Sequence, residues 1–199
     1  VVLGHSFGGK VALAYAATRP AGLRAVFVLD ATPAAIAGEP GGDDDVRRVL
    51  AALRDVPLPL PQRGDVVEAL TARGLSESIG RWMTTNLRRV DGGFVWTFDV
   101  DRAQELLRDY FAQDLWAPLE TEEPGAPRIH LVRAGRSDRW SPEIVARLDA
   151  LHGAQAGRAH LLPDAGHWLH VDDPDGLLAL LTRLWPSPAG EASPSELLG

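Results

Sequence analysis

The 199 residues predict an α/β protein, with a mostly parallel sheet flanked by helices and a mostly helical block inserted between its strands. Three observations carry this. Residues 1–30 read as strand, tight turn, helix and strand, the signature of a βαβ unit. Strand-like sequence returns at 128–135 and 159–163, each followed by a helical pattern. Between these two ends the residues change to helical periodicity broken by Pro-rich stretches.

Taken in order, "VVL" at 1–3 is a short apolar run, and residues 8–19 hold small and apolar side chains with no breaker before Pro20. "LRAVFVLD" at 23–30 is almost continuously apolar. That pattern suits a strand buried on both faces of a parallel sheet. A Gly- and Asp-rich loop, "AGEPGGDDD", then leads into helical periodicity at 46–53, 66–70, 79–87 and 103–111. "GGFVWTFDV" is a candidate short extended piece. "RIHLVRAG" at 128–135 is the next strand, and a helix is expected at 142–151, with Ser141 as N-cap and Pro142 in its first turn. "AHLLP" at 159–163 is a further strand. "PDGLLALLTRLW" at 174–185 is an amphipathic helix preceded by Asp172 and Asp173 at its positive end. The Pro- and Ser-rich remainder, 186–199, is expected to be disordered.

The composition excludes several classes of function. A net charge of -7 with scattered basic residues disfavours nucleic acid as a partner. No apolar stretch approaches the roughly eighteen residues of a membrane span. The absence of cysteine removes disulfides, thiolate metal sites and a cysteine nucleophile. Val1 opens inside a strand-like run and the chain is read as a fragment, so the lack of a signal peptide says nothing about targeting. A cytoplasmic setting is the working expectation, and the oligomeric state is left open.

Chemistry enters with "GHSFGG" at 4–9. Gly4-His5-Ser6-Phe7-Gly8 has the G-x-S-x-G form of a nucleophile elbow, in which serine sits on a sharp strand-to-helix turn with its hydroxyl exposed above the sheet. The flanking glycines are expected to remove side chains that would collide across that turn. The helix start behind Ser6 points the Phe7 N–H and its dipole toward a developing oxyanion. A serine hydroxyl is weak without a base to take its proton. His167, in "LLPDAGHWLHVDDP", falls after a strand and before the last helix, where such a base belongs. His130 lies in a strand and is read as core; His152 and His160 are read as surface residues. His170 makes an H-x-x-H pair with His167, but no carboxylate cluster of matching spacing accompanies it, so no metal site is expected. Two aspartates at strand ends are candidates to orient His167. Asp138 in "LVRAGRSDRW" is preferred, because the order Ser6, Asp138, His167 then follows the elbow pattern. Asp30 is the alternative.

"VVLGHSFGGKVALAYAATRP", "FVLDATPA", "VRAGRSDRW" and "PDAGHWLHVDDPDGLLALL" together resemble the α/β-hydrolase superfamily, closely at the two ends of the chain and loosely in the middle. The nearest resemblance is to small esterases in which "GHSxGGK" is followed by an Asp-x-x-Pro turn, here Asp30 to Pro33. In that branch the earlier aspartate can carry the acid. The resemblance implies a partial α/β-hydrolase fold, with core segments at 1–33 and 127–185 and a helical cap at 34–126. It also implies that the cap shapes the acyl and alcohol pockets, with Trp82, Met83, Trp96, Phe98, Phe111 and Trp116 as candidate lining or cap core, and Trp168 beside the base. The function implied is a cofactor-free serine hydrolase cleaving small carboxylic esters through an acyl-enzyme. A related hydrolase of carbon-carbon, amide or thioester bonds and an inactive ligand-binding homologue are the alternatives. Family members carry strands before the elbow and a loop giving a second oxyanion N–H, neither present in this chain. The chain by itself is therefore expected to be weakly active or inactive.

Overall fold

The structure, a computed structural model, describes residues 1–36, 44–120, 124–154 and 158–187, with the backbone alone at 44–47 and 152–154. The expected Gly- and Asp-rich loop lies largely outside the described residues, as do most of the tail and the His152 side chain.

The described chain forms two compact units: residues 1–35 with the stretch from Gln113 onward, and Ile36–Ala112. The first holds the sheet. Its elements are β1 (Val2–His5), α1 (Phe7–Ala17), β2 (Ala25–Leu29) and, in the other unit, α2 (Asp44–Arg54), α3 (Arg63–Thr71), α4 (Glu77–Met83), β3 (Leu87–Val90), β4 (Gly93–Trp96) and α5 (Val100–Ala112). The first unit then resumes with α6 (Ala117–Glu120), β5 (Arg128–Ala134), α7 (Pro142–Ala154), β6 (Ala159–Leu162), α8 (Leu169–Asp172) and α9 (Pro174–Leu184).

The sheet runs β1-β2-β5-β6 with every pairing parallel. Alternation along β2 explains why its sequence is apolar throughout. Val26 and Val28 face a core with Leu13 of α1 and Leu148 of α7. Ala25, Phe27 and Leu29 face the opposite core, with Leu177 and Leu180 of α9. A strand covered on both faces has no side to leave polar. Because the strands are parallel, all four carboxyl ends open on one edge, where crossover loops gather side chains from distant parts of the sequence. Among the described residues β1 pairs only with β2, and Val1, Leu3, Phe7, Val11 and Tyr15 are exposed along β1 and α1.

The second unit has its own core, built on Leu53, Val66, Leu70, Met83, Leu87 and Trp96. Here one expectation fails. Helical periodicity at 79–87 predicts a single helix, but α4 stops at Met83, a 3-10 turn spans Thr84–Asn86, and β3 begins at Leu87. Thr84 and Thr85 donate their hydroxyls back to the carbonyls of Arg81 and Trp82, both at 2.7 Å, the local competition that ends helices. β3 then pairs antiparallel with β4, Leu87 opposite Trp96. The extended piece read from "GGFVW" is β4.

Candidate active site

Ser6 stands directly after β1 and before α1, at φ 54° and ψ -120°. Positive φ is costly for a residue with a Cβ, about 1–3 kcal/mol, and such strain persists only where the surroundings impose it. The imposing contacts are visible. Ser6 N–H donates to Leu29 O at 2.9 Å, and the Ser6 carbonyl accepts from Gly9 N–H at 2.9 Å, so the turn is tied to the neighbouring strand and to its own helix. A Cβ on Gly4 would lie 2.0 Å from the Gly8 carbonyl oxygen, and one on Gly9 would lie 2.8 Å from the Ala31 Cβ. Gly8 differs from expectation, since a Cβ there would meet nothing within 4 Å. The close approach across the elbow is made at positions 4 and 9.

His167 sits in the loop between β6 and α8. Its Nε2 is 3.0 Å from Ser6 Oγ, and its Nδ1 is 2.8 Å from Asp30 Oδ2. A carboxylate accepts, so Nδ1 carries the proton, and in the neutral ring Nε2 is then the acceptor facing the serine hydroxyl. The loop is held by two further bonds. His5 Nε2 donates to the His167 carbonyl at 2.7 Å, and Gly166 N–H donates to Asp172 Oδ2 at 2.8 Å. Burial, first, holds the His5 imidazole below its ordinary pKa and outweighs the hydrogen bond to the His167 carbonyl, with the neighbouring imidazoles of His167 and His170 acting in the same direction as burial. His5 thus favours the neutral form beside the candidate base.

The aspartate facing His167 is Asp30, not Asp138. Asp138 has a side chain 89% exposed, with Arg139 Nε 3.6 Å away as its ion-pair partner. The turn at 135–140 explains the difference, because it turns Ser137 and Trp140 inward and Asp138 outward. Asp30 directly follows β2 at φ 43° with its side chain fully enclosed. Four donors converge on it. Oδ1 accepts from Ala134 N–H at 3.0 Å and Trp140 Nε1 at 2.6 Å; Oδ2 accepts from Ser137 Oγ at 2.6 Å and from His167. Burial pushes the carboxyl pKa up, but the bonds from His167, Ser137, Ala134 and Trp140 outweigh it and hold the group below its ordinary value. Asp30 is therefore an anion in a site without water contact. Trp140, Ser137 and His5 were not singled out by sequence reasoning. Their only sequence signal is position, beside a strand end or beside Ser6.

The remaining candidates fall elsewhere. His130 is buried in β5, its ring stacked on Phe27 at 5.0 Å, with Nδ1 3.2 Å from His160 Nε2. His160 therefore has a partner in the sheet rather than a plain surface role. His170 is exposed on α8, its ring 5.6 Å from that of His5. Among the described residues no group of three or more His, Asp or Glu stands together as could hold a metal ion. Met83 and Trp96 belong to the second unit's core, Trp116 to the first unit's core, and Trp82 and Trp168 are exposed. Phe7 opens α1 directly behind the serine, placing its N–H in the first turn.

A family model described as "Alpha/beta hydrolase family" matches residues 1–180. The chain belongs to the alpha/beta hydrolase family. It is 27% identical over 187 residues to the sn-1-specific diacylglycerol lipase ABHD11 of Mus musculus, covering 92% of this chain and 57% of that protein. The relative of the same name from Danio rerio is 26% identical over 198 residues, with 94% and 57% covered. The chain thus spans a little over half the length of these curated relatives. Among solved structures, a marine microorganism esterase superposes with a TM-score of 0.70 at 20% identity, covering 92% of this chain and 67% of that one. E-2-(acetamidomethylene)succinate hydrolase superposes at 0.57 and 20%, covering 92% and 65%. At such identities these two likenesses establish the α/β-hydrolase fold and nothing finer. Among the described residues no helix is long and apolar enough to cross a membrane.

Proposed function

We propose that this chain carries the catalytic centre of a serine hydrolase acting on small carboxylic esters. The observation that carries the reading is the continuous hydrogen-bond chain Ser6 Oγ, His167 Nε2, His167 Nδ1, Asp30 Oδ2, at 3.0 and 2.8 Å. His167 takes the Ser6 proton as Oγ attacks the ester carbonyl, and the Phe7 N–H at the positive end of α1 stabilises the oxyanion. Collapse breaks the ester carbon-oxygen bond. His167 returns its proton to the leaving alkoxide, giving the alcohol and a Ser6 acyl ester. Water then attacks that ester, giving its proton to His167, and Ser6 leaves with that proton as the acid is released. Asp30 stays ionised throughout and stabilises the imidazolium. The relatives named as diacylglycerol lipases favour an ester over an amide or a carbon-carbon bond as the bond cleaved.

The activity belongs to a protein longer than this chain. Supporting this are the 57% coverage of the curated relatives and the exposed apolar residues along β1 and α1. Turnover of p-nitrophenyl acetate tests the proposal. The full-length protein should hydrolyse it, the 199-residue chain more slowly, and Ser6→Ala should lower kcat by at least about a thousandfold. Full activity in Ser6→Ala would end the serine-hydrolase reading.

A further inference from the structure

Asp30 lies where no solvent reaches it, so the direction in which its carboxylate faces depends on protein donors alone. Oδ2 meets His167 and Ser137; Oδ1 meets the Ala134 N–H and the indole of Trp140. Two donors on Oδ1 fix the carboxylate plane, and that plane decides whether Oδ2 points along the His167 Nδ1–H bond.

Trp140 is suited to this in three ways. The residue is 9% exposed and belongs to the core that contains Leu131 and Leu148, so the ring is held by packing before it meets the carboxylate. Its only polar atom, Nε1, is a donor that neither accepts nor loses its proton in the working pH range. Its bond to Oδ1, at 2.6 Å, crosses 110 residues of sequence, from the turn after β5 to the end of β2. Resting on the reading of Ser6, His167 and Asp30 as a catalytic triad, we propose that Trp140 is a positioning residue for the acid, fixing the Asp30 carboxylate so that it orients the base.

Losing this donor leaves a buried carboxylate oxygen one partner short, with no water to replace it. Two things follow for catalysis. The carboxylate gains freedom to rotate, so the imidazole is less often aligned for proton transfer. The carboxylate charge is also shared with one donor fewer, so it favours the protonated, cationic form of the facing imidazole more strongly. The first effect lowers kcat. The second moves the acid limb of the kcat/KM profile to higher pH.

The test is Trp140→Phe in the full-length protein, which keeps a large ring and removes the N–H. The expected result is kcat lower by about tenfold, KM within about twofold, and an acid limb moved upward. Leu148→Ala, in the same core but not among the hydrogen-bond partners of Asp30, is the control for general loosening and should leave the acid limb in place. A third measurement does not depend on Trp140→Phe folding. In the 15N-labelled protein the Trp140 indole N–H, assigned by triple-resonance methods, should lie downfield of the other indole protons and shift markedly in Asp30→Asn. Wild-type kinetics in Trp140→Phe, an equal limb shift in Leu148→Ala, or an indole resonance indifferent to Asp30→Asn would each overturn the inference. Activity surviving in Ser6→Ala would instead remove the triad reading on which it rests, and so separates the two failures.

Discussion

At the scale of single residues, burial and direction divide two aspartates that look equivalent in sequence. Both follow an apolar strand, and both lie between Ser6 and His167 in chain order. Asp30 is enclosed and takes four hydrogen bonds, whereas Asp138 faces solvent beside Arg139. A surface pair of that kind contributes little. Asp30→Asn should therefore lower kcat by about ten-thousandfold, through loss of the correct imidazole tautomer, while Asp138→Asn should stay within about twofold. Steady-state kinetics of the two variants checks this. Ser6 and His167 were legible as candidates because glycine spacing and position before the last helix constrain them. The choice of acid was not, because it depends on which side chains of a six-residue turn face inward. That choice is made by burial of Trp140 in the sheet core, among residues remote in sequence.

At the scale of elements, the elbow depends on how closely β1 and α1 approach. Gly4 is the tight point and Gly8 is open. Gly4→Ala should destabilise the chain by more than about 2 kcal/mol, since the clash is with backbone that cannot swing aside. Gly8→Ala should be neutral within about 0.5 kcal/mol or slightly stabilising, because alanine favours a helix and no described atom obstructs it. Thermal or urea unfolding of the two variants distinguishes them. The motif alone treats these glycines alike, and the difference comes from the crossing of strand and helix. Elements with strong patterns were readable: β2, covered on both faces, and α9, with its Asp173 cap accepting from Gly176 N–H at 2.9 Å. β3 was missed because its Leu87 continues the helical periodicity of α4, and only its pairing with β4 reveals it as a strand. The four-residue α8 is too short to show a period.

At the scale of the whole molecule, a parallel order β1-β2-β5-β6 brings the ends of four strands to one edge. Ser6 follows β1, Asp30 follows β2, the Ser137 and Trp140 turn follows β5, and His167 follows β6. Sequence separations of 161 and 137 residues thereby become hydrogen bonds of 3.0 and 2.8 Å. Fold class was legible from alternation of strand and helix patterns. Which loops meet was legible only through the rule that parallel strands share a carboxyl edge. The central claim is that this convergence makes the Ser6 hydroxyl a nucleophile. Its most direct test is reaction of the full-length protein with a fluorophosphonate probe, followed by peptide mass spectrometry. The account predicts one adduct, on Ser6, abolished in Ser6→Ala and much slowed in His167→Ala. No adduct on Ser6, or one that forms equally fast without the His167 imidazole, would contradict it.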